Sequence, residues 1–403
     1  MKIVFACDQY WPSISGVCVS LDAFRKQFTK MGHTVFLLVP EYPEAAEFDN
    51  RIQTANLIRF KSHKLSFNDE NHLVNRSEKK NIFKALDAIK PDIIHIHTEF
   101  NMNKMVTTYA KENAIPLVMT AHTNWEELIH HYIPIIPLRL ARLYCRYIMN
   151  NRYNKSDTVI VPTSLMEVLL DLYFVEKPIR IIPTGIDKED FYFTEPLSIQ
   201  KEDFYKKYPQ CQGKKMLFTA GRLGKEKNIE FLLDVMYNLS QKRSDIIFVI
   251  SGNGPARQEL EAYAAKLNIT DKVIFTGFIE RQYLKSLYSI ADVFVFASKV
   301  ESQGMVALES MCCGTPVVAI GKMGTREVMG GDFGGFMVDD ELDIFEEKIE
   351  LLLSNPELYI SKSQEALKHV DKWTIDVQAE RMIKLYNSLI TKAKIQKELA
   401  LKC

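Results

Sequence analysis

Two glutamates, Glu301 and Glu309, lie in Ala297-Ser-Lys-Val-Glu301-Ser-Gln-Gly304-Met305-Val306-Ala-Leu-Glu309, where an apolar run passes through a loop into a helix-like segment. A carboxylate accepts two hydrogen bonds from vicinal hydroxyls, so such groups suit a polyhydroxylated ligand. The segment opening near Gly304 offers backbone N–H groups around Gly304, Met305 and Val306 to a phosphate. By spacing alone, an exposed loop glutamate and a helix-surface glutamate explain the pair equally well. Upstream, Arg222 and Lys227 flank another strand-to-helix turn, Ala220-Gly-Arg222-Leu-Gly-Lys-Glu-Lys227-Asn228. Two cations converging there suit a diphosphate, and a solvated basic turn is the plainer alternative. Asn228 stands at the cap position of the helix that follows.

Gly16, in Tyr10-Trp-Pro12-Ser-Ile-Ser15-Gly16-Val17, marks a third such turn. Bare backbone at a helix entrance can approach a phosphate or sugar closely, although a simple tight turn needs glycine too. Three histidines stand at strand ends: His95 and His97 in Asp92-Ile-Ile-His-Ile-His-Thr-Glu99, and His122 in Met119-Thr-Ala-His-Thr123. Strand alternation puts His95 and His97 on one face. Without a clear third ligand they read as buried, hydrogen-bonded histidines rather than a metal pair. No Asp-x-Asp stands at a strand end, so no metal site is expected.

Short β-rich apolar runs alternate with helical patterns, which is the signature of parallel sheets covered on both faces. Runs at 3–6, 34–39, 93–96, 116–120, 158–161 and 179–182 make a first set; 215–220, 246–250, 272–275, 293–297 and 316–319 make a second. The polar, aromatic stretch 187–213 reads as the link, and the chain reads as helical after Asp339. The expected fold is α/β, with two doubly wound domains facing across a cleft. The domain spans read 1–186 and 187–375, with 376–403 a C-terminal helix and basic tail crossing back to the first domain.

With 403 residues, 47% hydrophobic and 25% charged, the composition is globular and too long for one comfortable core. Lys+Arg and Asp+Glu both number 51, so the overall charge gives no support to a nucleic-acid partner. Seven scattered cysteines with no C-x-x-C argue against a disulfide framework or a zinc site and fit a cytoplasmic protein.

The Glu-x7-Glu stretch, continued by Cys313-Gly314-Thr-Pro316-Val-Val, resembles the signature of group 1 retaining glycosyltransferases with the GT-B fold. Ala220–Asn228, Ser251-Gly252-Asn-Gly254, Phe275-Thr-Gly277-Phe and Pro183-Thr-Gly185-Ile-Asp187 support the resemblance, which extends over nearly the whole chain. The resemblance implies that Glu301 holds hydroxyls of a donor sugar and Glu309 the ribose of its nucleotide. It places Gly16, Arg222, Lys227, Gly304, Met305 and Val306 on the donor diphosphate. It also assigns His122 to the donor sugar near the reaction centre, as a positioning or electrostatic group. Relatives often carry Gly-Gly where this chain has Ser15-Gly16, which leaves Gly16 the better candidate. The implied chemistry is metal-independent front-face displacement, with no cofactor.

One stretch bears on the acceptor: His122-Thr-Asn-Trp125-Glu, Tyr132, the apolar run 133–138, then Arg139, Arg142 and Arg146 at helical spacing. From Arg139 to Lys155 there are five basic residues and no acidic one. A basic face beside aromatic and apolar groups suits an anionic membrane surface, and an ordinary amphipathic helix with solvated arginines explains it as well. The His-Thr-x-Trp-Glu stretch resembles diacylglycerol glucosyltransferases and related lipid-modifying members. The expectation is a hexosyltransferase, peripheral on the inner face of the cell membrane, moving glucose from UDP-glucose to a lipid hydroxyl. A soluble acceptor and a non-catalytic sugar-nucleotide-binding protein are the alternatives.

Overall fold

The computed structural model describes all residues except 14, 53–55, 66–67, 127–136, 192–196 and 401–403. The chain divides into two units: Met1–Gly185 together with Ile375–Cys403, and Ile186–Thr374.

Unit 1 is built on strands β1 (Lys2–Ala6), β2 (Thr34–Pro40), β3 (Leu57–Phe60), β6 (Ile93–Ile96), β7 (Leu117–Thr120), β8 (Thr158–Val161) and β9 (Ile179–Ile181). They form one parallel sheet in the order β3-β2-β1-β6-β7-β8-β9, beside an antiparallel hairpin of β4 (Ser62–Leu65) and β5 (Asn68–Val74). Its helices are α1 (Gly16–Lys30), α2 (Ala45–Ile52), α3 (Lys79–Ile89), α4 (Asn101–Glu112), α5 (Leu138–Tyr153) and α6 (Ser164–Leu172). Alternate residues of β1 enter different cores: Val4 and Ala6 pack on one face, Ile3 and Phe5 on the other.

Unit 2 carries β10 (Lys215–Ala220), β11 (Ile246–Ser251), β12 (Val273–Gly277), β13 (Val293–Phe296), β14 (Val317–Ile320) and β15 (Gly335–Val338), all parallel, in the order β12-β11-β10-β13-β14-β15. Around them run α7 (Leu197–Lys207), α8 (Ile229–Lys242), α9 (Arg257–Lys266), α10 (Arg281–Ile290), α11 (Met305–Cys312), α12 (Met323–Met329), α13 (Leu342–Ser354) and α14 (Pro356–His369). The last helix, α15 (Ile375–Ala400), returns to unit 1. Its stripe of Ile375, Ala379, Met382, Ile383 and Tyr386 completes the core that holds Phe24 and Phe28 of α1.

The stretch 187–213 is not a bare link. It belongs to unit 2, where α7 packs on α10 and Phe204, Tyr205 and Tyr208 lie against the core. Phe204 and Tyr208 stand one helical turn apart, but the rest of α7 is mostly polar, so its helical period is weak in the sequence. Strands β3 and β15, each a four-residue edge strand, lie outside the apolar runs given above.

In each sheet the strand order reverses once, between β1 and β6 and between β10 and β13. Loops leaving the carboxyl ends at such a reversal diverge to opposite faces and open a crevice. Asp8 and His97 follow one such pair of strands, and Arg222 and Glu301 follow the other.

Candidate active site

In unit 2, two glycines let the loops after β10 and β11 lie on each other. A Cβ on Gly252 would meet the Gly221 carbonyl oxygen at 1.8 Å, and one on Gly254 would meet the Leu223 backbone at 2.4 Å. Arg222 and Lys227 then line one recess at the end of β10, together with Thr219 and Phe296. Each cation faces a carboxylate: Arg222 Nη1 lies 3.3 Å from Glu226 Oε1, and Lys227 Nζ lies 2.5 Å from Glu301 Oε1. Asn228 does not cap α8 through its side chain. Its backbone is left-handed (φ 55°), no side-chain cap bond forms, and its Nδ2 is buried with no partner among the described residues.

The Glu301 loop is held from beneath. Gly324 donates its N–H to the Glu301 carbonyl (2.9 Å), and a Cβ on Gly324 would meet Gln303 N at 2.5 Å. Gly304 takes φ 86° and caps α11, whose first N–H groups belong to Met305 and Val306. Glu309 is no surface glutamate: it is 7% exposed, and the Tyr288 hydroxyl donates to its Oε2 (2.9 Å). Sequence reading missed Glu226, Tyr288 and Gly324. The charge alternation Lys225-Glu226-Lys227 and the glycine spacing Gly321–Gly324 were the signals available for two of them.

In unit 1, Ser15 caps α1 by accepting from Cys18 N (3.3 Å), a structural use for that hydroxyl. Gly16 follows, exposed, with nothing within 4 Å of where a Cβ would stand. His95, His97 and His122 border one recess with Ser20, Thr120 and Thr184, and the Thr184 hydroxyl donates to Ser20 Oγ (2.8 Å). The Tyr386 hydroxyl bonds His95 Nδ1 (2.5 Å), the Thr120 hydroxyl bonds His95 Nε2 (2.6 Å), and His97 Nδ1 meets His122 Nε2 (3.0 Å). Burial pushes all three imidazoles down, His122 to about 4, so they are neutral at pH 7. Asp8 accepts from Met102 N at the start of α4 (2.9 Å), and burial still raises its carboxyl to about 7. Among the described residues no cluster of His, Cys, Asp and Glu is placed to hold a metal ion.

The acceptor-side residues separate. Trp125 is half-buried, and its indole N–H donates to Glu99 Oε2 (3.2 Å), a carboxyl that also takes the Tyr153 hydroxyl (2.7 Å). Arg146 Nε donates to Glu126 Oε1 (2.5 Å), and Arg142 Nε lies 3.9 Å from the same carboxylate. Arg139 is exposed, and Tyr132 lies outside the described residues. Beside these arginines α5 exposes Leu140, Leu143, Tyr144 and Tyr147, each 59% exposed or more. Nearby in sequence, Leu165, Val168, Leu172 and Phe174 are exposed too. No described helix is long and apolar enough to cross a membrane.

Residues 200–369 match the family described as "Glycosyl transferases group 1", and residues 14–190 match "Glycosyltransferase Family 4". The chain is a group 1 glycosyltransferase of the GT-B fold. This glycosyltransferase is 28% identical over 407 residues to the alpha-monoglucosyldiacylglycerol synthase of Streptococcus pneumoniae, covering 99% of this chain and 88% of that protein. The protein of the same name from Acholeplasma laidlawii is 27% identical, with 97% and 98% covered. Among solved structures, HepE of Anabaena in complex with UDP superposes with a TM-score of 0.77 at 16% identity, covering 96% of this chain and 100% of that one. That likeness is one of fold.

Proposed function

We propose that this glycosyltransferase moves glucose from UDP-glucose to a lipid hydroxyl such as that of diacylglycerol, as a peripheral protein on the inner face of the cell membrane. The observation that carries the reading is near-full-length similarity to two alpha-monoglucosyldiacylglycerol synthases. The apolar face of α5 beside Arg139 supports a lipid surface as the acceptor's source.

In this reading Arg222, Lys227 and the first N–H groups of α11 take the diphosphate, Glu309 the ribose and Glu301 the sugar hydroxyls, while Gly16 lends bare backbone. His122 contacts the transferred sugar. Arg222 and Lys227 stabilise the charge that develops as the C1–O bond to phosphate breaks, without a metal ion. The acceptor hydroxyl forms the new C1–O bond on the same face and yields its proton to the departing phosphate, so configuration is retained.

The test is a mass-spectrometric screen of UDP- and GDP-sugars against diacylglycerol in anionic vesicles and against soluble acceptors. Glucosyl-diacylglycerol from UDP-glucose is the expected product. Transfer only to a soluble acceptor, or no transfer with any pair, overturns the reading.

A further inference from the structure

His97 has no role in the reading above, yet it touches His122 directly. Its Nδ1 stands 3.0 Å from His122 Nε2, and the two rings stack at 22° with centroids 5.3 Å apart. The ring of His97 is fixed on every side. It lies edge-on to Phe5 at 4.8 Å and 4.0 Å from the ring of His95, while the backbone N–H of the residue donates to the Ala6 carbonyl across the sheet (2.9 Å). His97 is 2% exposed, and its Nε2 is buried with no hydrogen-bond partner among the described residues.

A neutral imidazole carries one N–H, so a hydrogen bond between two neutral rings couples their tautomers. If His97 donates from Nδ1, its own Nε2 is a bare lone pair and His122 carries its proton on Nδ1. If His122 donates from Nε2, then His97 keeps a buried Nε2–H without an acceptor, and His122 offers only a lone pair to a ligand. A buried N–H without a partner is the rarer orphan in native proteins.

We propose that His97 is a positioning residue that donates from Nδ1 to His122 Nε2 and locks His122 in its Nδ1–H tautomer. His122 is thereby a fixed hydrogen-bond donor to an oxygen of the transferred sugar. The inference rests on the assignment of His122 to the sugar, and its test separates the two.

The experiment is 15N NMR of the full chain labelled at histidine, together with steady-state transfer kinetics of His97→Phe and His97→Asn. In the wild type the His122 resonances show a protonated Nδ1 and a bare Nε2. In His97→Phe, which keeps the ring volume but offers no donor, His122 moves toward the Nε2–H tautomer. The kcat of that variant falls about tenfold or more, while the donor KM stays within about threefold. His97→Asn places an amide N–H near the lost Nδ1 and restores both the tautomer and most of kcat. A wild-type His122 protonated on Nε2 overturns the proposal, as does a folded His97→Phe with unchanged tautomer and kcat. If His122→Ala transfers sugar normally, the assignment of His122 fails, while the wild-type spectrum still decides whether His97 locks its tautomer.

Discussion

Replacing Glu301 by glutamine separates two roles that the proposed site gives one carboxylate. Glu301 faces Lys227 at 2.5 Å, with side chains 15% and 21% exposed. A free diphosphate must draw Lys227 away from that charge and then sit beside it. Two unit charges about 4 Å apart interact by about 1 kcal/mol in water and about 4 kcal/mol at an intermediate dielectric, whereas exposed pairs measure below about 1 kcal/mol. This pair is mostly but not fully covered, so losing its negative charge is worth about 1–2 kcal/mol to an incoming anion. The Kd of UDP, measured by titration calorimetry, should therefore fall by about fivefold to thirtyfold in Glu301→Gln. Transfer from UDP-glucose should drop by about a hundredfold or more, because glutamine accepts sugar hydroxyls without a charge. The opposite signs are the point of the experiment. A folded Glu301→Gln that binds UDP no better than wild type, or more weakly, refutes the view that Glu301 competes with the phosphates for Lys227.

Three further predictions follow from buried groups. Burial raises the Glu99 carboxyl from about 4.5 to about 7, so between those values the native state holds a proton that the unfolded chain has lost, and stability falls as pH rises. Glu99→Gln lacks this dependence, and its unfolding free energy relative to wild type should rise by about 3 kcal/mol between pH 4.5 and 7.5. The depressed histidines act in the opposite sense below pH 6.5 and cancel in that difference; a flat difference refutes the assignment. Tyr386→Phe removes the hydroxyl bonded to His95 Nδ1 and leaves a buried nitrogen without its partner, which should cost about 1–3 kcal/mol in a urea melt. An unchanged midpoint and slope would show that the bond contributes nothing. Glu126→Gln leaves the charges of Arg142 and Arg146 uncompensated, so binding to anionic vesicles should rise about fivefold, and that gain should fade at high salt; equal binding refutes an electrostatic contribution of these two arginines to membrane attachment.

Legibility in the sequence follows the range of each interaction. Every turn carrying Arg222, Lys227 or Gly304 could be read directly, since an apolar β run, a polar loop and a helical period are local patterns. The pairings are not local: Lys227 and Glu301 are 74 residues apart and meet only because β13 lies beside β10. His97 and His122 meet for the same reason at the ends of β6 and β7, where Ile96 stands opposite Met119. The same limit applies to charge. Arg139, Arg142 and Arg146 at helical spacing announce a basic face, but Glu126, upstream of their helix, draws two of those three charges to itself. What the sequence presents as an electrostatic surface is in the folded unit chiefly an apolar one, formed by Leu140, Leu143, Tyr144 and Tyr147. Attraction to a bilayer through this face must then draw more on buried apolar area than on charge, and salt should weaken it only in part.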